Sequence, residues 1–232
     1  MIIVEARKDA IFATMSTTAR KPRTKADEPP SDRGRGRPVG DREARRTELL
    51  NAAISVIAQE GPAEASLRKV AERAGCSTGA VTYYFANREE MMAAVIESQF
   101  DMFDAMLKVS DGDKVDIRGG LKRWLDSLGA GGEGEWVAIF QLLSLARHEP
   151  ALAAVYQRRY ARYRDVFAAM IGKGQRQGTI RKDIPAEFLA DQISAMGDGW
   201  MMLFPIEPDR FRPTRVKALL DATMALIAPS KA

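Results

Sequence analysis

An all-α fold is predicted by three observations on this 232-residue sequence. Apolar residues recur at i, i+3, i+4 and i+7 in one segment after another, the spacing of one helix face. No alternating apolar–polar run long enough for a strand breaks the series. The segments are separated by glycine and proline clusters such as Gly61-Pro62, the GAGGEG run at 129–134 and GTIRKDIP at 178–185. With 46% apolar residues the chain can bury a core, and its length suits a small domain followed by a larger one.

Residues 1–40 lack helical periodicity and read as a disordered basic arm rich in Pro, Gly and Arg. Nine basic residues face five acidic ones there, so this segment alone accounts for the net charge of +4. A basic arm on a neutral body suits a polyanionic partner. Met15 is a second candidate start.

The first helix begins near Asp41. Leu50, Ala53, Ile54 and Ile57 form its apolar face, and it ends before Gly61-Pro62. Leu67, Val70 and Ala71 then give a short helix with Ser66 as its N-cap. Gly75 follows, where a sharp turn needs a left-handed residue. Ser77 can cap the next helix, which carries Val81 and Phe85 inward, four apart. Its other side presents Thr78, Gly79, Thr82, Tyr83 and Tyr84. Two short helices joined by a tight turn, the second showing groups that reach base edges, are the layout of a helix-turn-helix.

Asn87 can cap a fourth helix running to about Val109, with Glu89 and Glu90 in its first turn, where the helix dipole favours acids. Further helices are predicted over 115–128, 135–147, 150–177, 186–204 and 211–227, about nine in all. Leu189, Ile193, Met196, Trp200 and Phe204 fall on one face of the first of the last two. Val216, Leu219, Leu220, Thr223 and Ile227 fall on one face of the second. Gly197 and Gly199 sit mid-helix, where such residues allow another backbone to approach.

The stretch from about Asp41 to Val95 resembles the DNA-binding domain of TetR-type transcriptional regulators. The resemblance rests on the apolar helix 49–58, Gly61, Ser66 with Val70, Ala71 and Ala74, and then Gly75-Cys76-Ser77-Thr78-Gly79. It continues through Val81, Tyr84-Phe85 and Arg88-Glu89-Glu90-Met91. Thr82 stands where the family usually has tyrosine, and Arg88 where it usually has lysine, which keeps the charge. More weakly, the C-terminal half is similar to the choline-responsive betaine regulators of that family, through Trp136, the Arg147-His148-Glu149-Pro150 corner, the tyrosine-rich helix after it and Asp198-Gly199-Trp200.

The resemblance implies three parts: a basic arm over 1–40, a three-helix DNA-binding domain over 41–95, and a helical effector-binding and dimerisation domain over 96–232. It implies a homodimer held by the last two long helices, and a repressor released from its operator by a small molecule. The alternative is an architectural DNA-binding protein without an effector. A cavity in the C-terminal region would favour the first reading and a filled core the second.

The expected DNA contacts are Ser66, Ser77, Thr78, Gly79, Thr82 and Tyr83, with Tyr84 and Arg88 on the flanking backbone. Arg35-Gly36-Arg37-Pro38 resembles an AT-hook core, so Arg35 and Arg37 are expected in a narrow minor groove. The expected pocket residues are Trp136, Phe140, Tyr156, Tyr160, Tyr163 and Trp200. One histidine, His148, and one cysteine, Cys76, supply no nucleophile–base pair and no multi-cysteine metal site. No cofactor, catalytic activity or membrane association is expected, and the cysteine usage fits the cytoplasm.

Overall fold

Nine α-helices account for most of the residues described in the computed structural model, which are 39–110, 114–130 and 135–229. They are α1 (Val39–Glu60), α2 (Leu67–Arg73), α3 (Thr78–Thr82), α4 (Arg88–Ser110), α5 (Ile117–Ala130), α6 (Glu135–Ala146), α7 (Pro150–Arg176), α8 (Ala186–Leu203) and α9 (Pro213–Ile227). Two single 3-10 turns, Pro62–Glu64 and Pro208–Phe211, complete the list, and there is no β-strand among the described residues. The all-α expectation holds. No described helix is long and apolar enough to cross a membrane.

The first turns follow from local chemistry. Ser66 Oγ accepts from the Lys69 amide at 3.2 Å and starts α2, and Ser77 Oγ accepts from the Ala80 amide at 3.2 Å and starts α3. Gly75 lies between them at φ +62°, a conformation that costs any residue with a Cβ. Asn87 and Glu90 cap α4 reciprocally. Asn87 Oδ1 accepts from the Glu90 amide at 2.8 Å, and Glu90 Oε2 accepts from the Ala86 amide at 2.7 Å.

One core joins α1–α4 to α6 and α7. Leu49, Ile57, Val70, Val81, Phe85, Met91 and Val95 pack with Leu142, Leu152 and Tyr156. A second core, built on Phe167, Ile171, Leu189 and Ile193, binds α7 to α8. A third collects Leu125, Trp136, Met201 and Leu220 from α5, α6, α8 and α9. Helix α4 contributes to all three, since Phe103 also packs on the third and Leu107 belongs to the second.

The apolar stripes of the last two helices belong to the chain's own interior. Leu189 and Ile193 are buried in the second core, while Trp200 and Phe204 pack on the third. The faces left open carry Phe188, Met202, Ile206 and Leu226, each more than half exposed. Gly197 is buried and makes room for a side chain of the same chain, since a Cβ there would meet the Trp124 ring at 3.8 Å. Gly199, by contrast, faces open space. The expected stripe thus lies half a turn from the exposed one, because both faces of α8 are apolar and periodicity does not tell them apart.

Candidate nucleic-acid interface and effector cavity

Helix α3 is anchored by the two residues that the spacing sends inward: Val81 and Phe85 are fully buried. Thr78, Gly79, Thr82 and Tyr83 are consequently exposed on one side, together with Ser77. Thr82 Oγ1 donates to the Gly79 carbonyl at 3.0 Å, so its hydroxyl proton is engaged within the helix. That arrangement favours apolar contact, as with a thymine methyl, over hydroxyl readout. Tyr83 is 67% exposed and meets the half-buried Tyr84 edge to face, with ring centroids 5.1 Å apart.

Two arginines unmarked by the sequence reading join this surface. The Arg42 guanidinium lies over the Tyr83 ring at 5.5 Å, and Arg46 lies over the Phe85 ring at 5.7 Å. Both come from the start of α1. The signal is present in DREARRTE, where three arginines fall opposite the apolar face. An arginine stacked on a tyrosine is held in place while its donors stay free for phosphate.

Other cations of this region are engaged within the fold. Lys69 Nζ lies 2.7 Å from both Glu60 and Glu64, and this pairing raises its pKa. Arg73 reaches Ser55, Gln59 and Glu60 on α1. Arg88 Nη2 donates to the Pro62 carbonyl at 2.7 Å and its Nε to the Ala65 carbonyl at 3.2 Å. The guanidinium expected on the DNA backbone therefore ties α4 to the turn before α2. Ser66 is half-buried and spends its oxygen on the α2 cap. Arg35 and Arg37 lie outside the described residues.

A cavity opens between α4, α5, α7 and α8 and is partly open to solvent. Phe100, Phe103 and Met106 line it from α4, Leu121 and Trp124 from α5, Tyr160, Tyr163 and Phe167 from α7, and Ile193, Ser194, Asp198 and Met201 from α8. Of the six residues expected here, the structure brings Tyr160 and Tyr163 to the wall. Tyr156 lies at a smaller neighbouring space, its hydroxyl donating to the Ile139 carbonyl at 3.2 Å. Trp136 is buried in the third core, stacked on Phe103 at 6.4 Å. Phe140 and Trp200 pack on that core too, Trp200 stacking on Trp124 at 6.5 Å.

Burial raises the pKa values of Tyr156, Tyr160 and Tyr163, so all three are neutral phenols. Asp198 keeps part of its surface in solvent at the cavity's edge, yet desolvation pushes its carboxyl up to about 6. Ser194 Oγ is buried beside the Tyr163 hydroxyl, and their interaction partly offsets the effect of burial on that phenol. Outside the cavity, Arg159 clasps α7 to α4. It pairs with Glu97 at 3.2 Å, Asp101 at 2.8 Å and Asp104 at 3.3 Å, and lies over the Phe100 ring at 5.5 Å. No group of metal-ligating side chains occurs among the described residues.

Comparison with known proteins gives two family matches. Residues 49–95 match the model for bacterial regulatory proteins of the tetR family, and residues 118–229 match that for the C-terminal part of BetI-type transcriptional repressors. The transcriptional repressor SCO4008 of Streptomyces coelicolor is 29% identical over 165 residues, covering 71% of this chain and 82% of its own. Among solved structures, the SmeT–triclosan complex superposes with a TM-score of 0.68 at 22% identity, covering 81% of this chain and 93% of that one. A transcriptional regulator of Saccharomonospora viridis in complex with choline superposes with a TM-score of 0.63 at 22% identity, covering 79% and 96%.

Proposed function

Because this chain belongs to the TetR family of helix-turn-helix transcriptional regulators, we propose that it is a homodimeric repressor whose operator affinity falls when a small molecule enters the cavity. Residues 41–95 bind DNA, and residues 96–232 hold the effector and the second copy. Thr78, Gly79, Thr82 and Tyr83 read base edges, while Arg42 and Arg46 join Tyr84 on the phosphates. The arm adds Arg35 and Arg37 in the minor groove. The protein acts in the cytoplasm, in keeping with its single cysteine.

One observation carries the regulatory reading over the architectural one: a single helix, α4, packs against α1–α3 at its start and lines the cavity at its end. An occupant of the cavity therefore has a direct mechanical route to the DNA-binding helices, and a filled core would not. Any ligand that prefers one arrangement of α4 shifts the population towards it. The structural neighbours include a triclosan complex and a choline complex, which supports a small-molecule occupant of this fold.

The test is binding to a duplex recovered from a randomised pool, in gel shifts at fixed salt. Tyr83→Ala and Thr82→Ala should each weaken binding to the recovered operator by about tenfold, the ~1–3 kcal/mol of a good base contact. Unrelated DNA should lose much less. Equal loss on both would remove base readout from α3.

A further inference from the structure

Helix α3 and its two caps present Ser77, Thr78, Gly79, Thr82 and Tyr83 to the outside. None of these is an amide, an acid or a base. In the major groove guanine is read by arginine or lysine, adenine by asparagine or glutamine, and cytosine by an acid. The helix carries no side chain for any of these pairings. Its hydroxyls are partly committed as well. Thr82 Oγ1 donates its proton to the Gly79 carbonyl at 3.0 Å, and Ser77 Oγ accepts from the Ala80 amide at 3.2 Å. The pairing left is apolar contact with the 5-methyl group of thymine.

Gly79 supplies a second observation. Its backbone is that of an ordinary α-helix, which any residue adopts. Beyond the helix's own backbone, a Cβ there would meet Ser77 Oγ at 3.8 Å, an ordinary contact. Neither conformation nor packing within the chain asks for glycine, and helix propensity argues against it. The vacancy therefore serves something outside the chain. It leaves a notch one methyl deep beside Thr82 and Tyr83, at i+3 and i+4, where residues on a helix surface are neighbours.

We propose that the notch over Gly79 takes the 5-methyl group of a thymine, with the Thr82 and Tyr83 side chains beside it, so that thymine is the base α3 selects in the operator. This rests on the base-contact reading of α3 above and names the base and the atom that are read. The neighbouring cations leave the task to these residues. Arg42 lies across Tyr83 and Arg46 across Phe85, while Lys69, Arg73 and Arg88 are held by groups of the fold.

In the experiment the duplex recovered from the randomised pool is remade with deoxyuridine for thymidine, one position at a time. The swap deletes the methyl group and preserves the base pair and its groove acceptors. At one or more positions the full chain should lose about fourfold in affinity, the worth of one buried methyl group. 7-Deazaadenine opposite those positions deletes the N7 acceptor instead, and should cost less than about twofold, since no bidentate donor faces it. Gly79→Ala has room to fold and fills the notch with a methyl of its own. Its preference for thymidine over deoxyuridine at those positions should vanish or reverse, whereas a merely structural role for Gly79 would weaken both duplexes equally. Unchanged binding after every deoxyuridine swap, an N7 deletion costing more than the methyl at the same pair, or an undiminished preference in Gly79→Ala would each overturn the proposal. In each of these cases the recovered duplex still binds more tightly than unrelated DNA, so base readout by α3 stands without its thymine. Equal affinity for the recovered duplex and unrelated DNA would remove both.

Discussion

Tyr83 stands in solvent with Arg42 across its ring, and the pair shows how single side chains divide the work at the α3 surface. The ring fixes the guanidinium, and the guanidinium keeps all its donors. Arg88 has the opposite fate, since two carbonyls take its donors. Arg88→Ala should therefore lower stability by about 2 kcal/mol, the worth of charge-assisted hydrogen bonds to carbonyls left without partners. Its melting temperature should drop by roughly 4–8 °C, while the slope of log K against log salt on DNA stays unchanged. A slope reduced by about 0.9 would instead return Arg88 to the phosphates.

Asp198 gives a prediction whose sign follows from its raised acidity constant. Its folded value of about 6 lies above the ordinary carboxyl value, so the native state resists ionisation. The resulting penalty is absent below the unfolded pKa, grows between it and about 6, and is complete above 6. Asp198→Asn should thus melt higher than wild type at pH 7.5 and equally at pH 3.5. A gain of the same size at both would locate the effect in packing. The Asp198-Gly199-Trp200 run marks this residue in the sequence, but nothing in the run announces a raised acidity constant. Its place four residues after Ser194 and three before Met201 is legible. That the face between them borders a cavity depends on α4 and α5, which are distant in sequence.

Short elements are legible wherever local chemistry sets them. The Ser66 and Ser77 caps, Gly75 and the Asn87–Glu90 box each act within four residues, so the sequence holds the whole cause. For α8 and α9 the spacing locates the helices correctly and turns them the wrong way, because an apolar stripe states that a face is covered without saying by what. The open side of α8 carries Phe188, Ala195 and Met202, with open space above the half-buried Gly199 and Ile206 exposed just past the helix end. This face, joined by Leu226 of α9, is the one that would meet a second copy. Met202→Asp should convert a dimer to monomer in sedimentation at micromolar concentration with helicity retained. Gly197→Leu should disturb the cavity, through Trp124, and leave assembly intact. A dimer that survives Met202→Asp places the interface elsewhere.

Across the whole molecule, the first core ignores the boundary between the DNA-binding and effector regions. Leu142, Leu152 and Tyr156 pack with Leu49, Ile57 and Met91. Arg159 reinforces that junction from outside, nine-tenths buried with three acids of α4 around it. Arg159→Ala leaves those acids without their cation. It should cost about 2 kcal/mol and weaken the dependence of operator affinity on the cavity's occupant. The check is the ratio of operator affinities with and without a small molecule shown to occupy the cavity, compared between wild type and variant. An unchanged ratio with lowered stability would make Arg159 a fastening only.

Helix α4 has 23 residues, which at 1.5 Å of rise each is a rod of about 35 Å. Its far end borders the cavity, and its near end is fixed to α3 through the first core and to the turn before α2 through Arg88. A tilt of about 5° about the far end would carry the near end by about 3 Å, close to the rise of one base pair. Small angles at the cavity are therefore large displacements at the groove. In the proposed dimer the two copies of α3 would have to keep their separation to within a single step of the duplex, and the length of α4 would set how little rotation suffices to lose the operator.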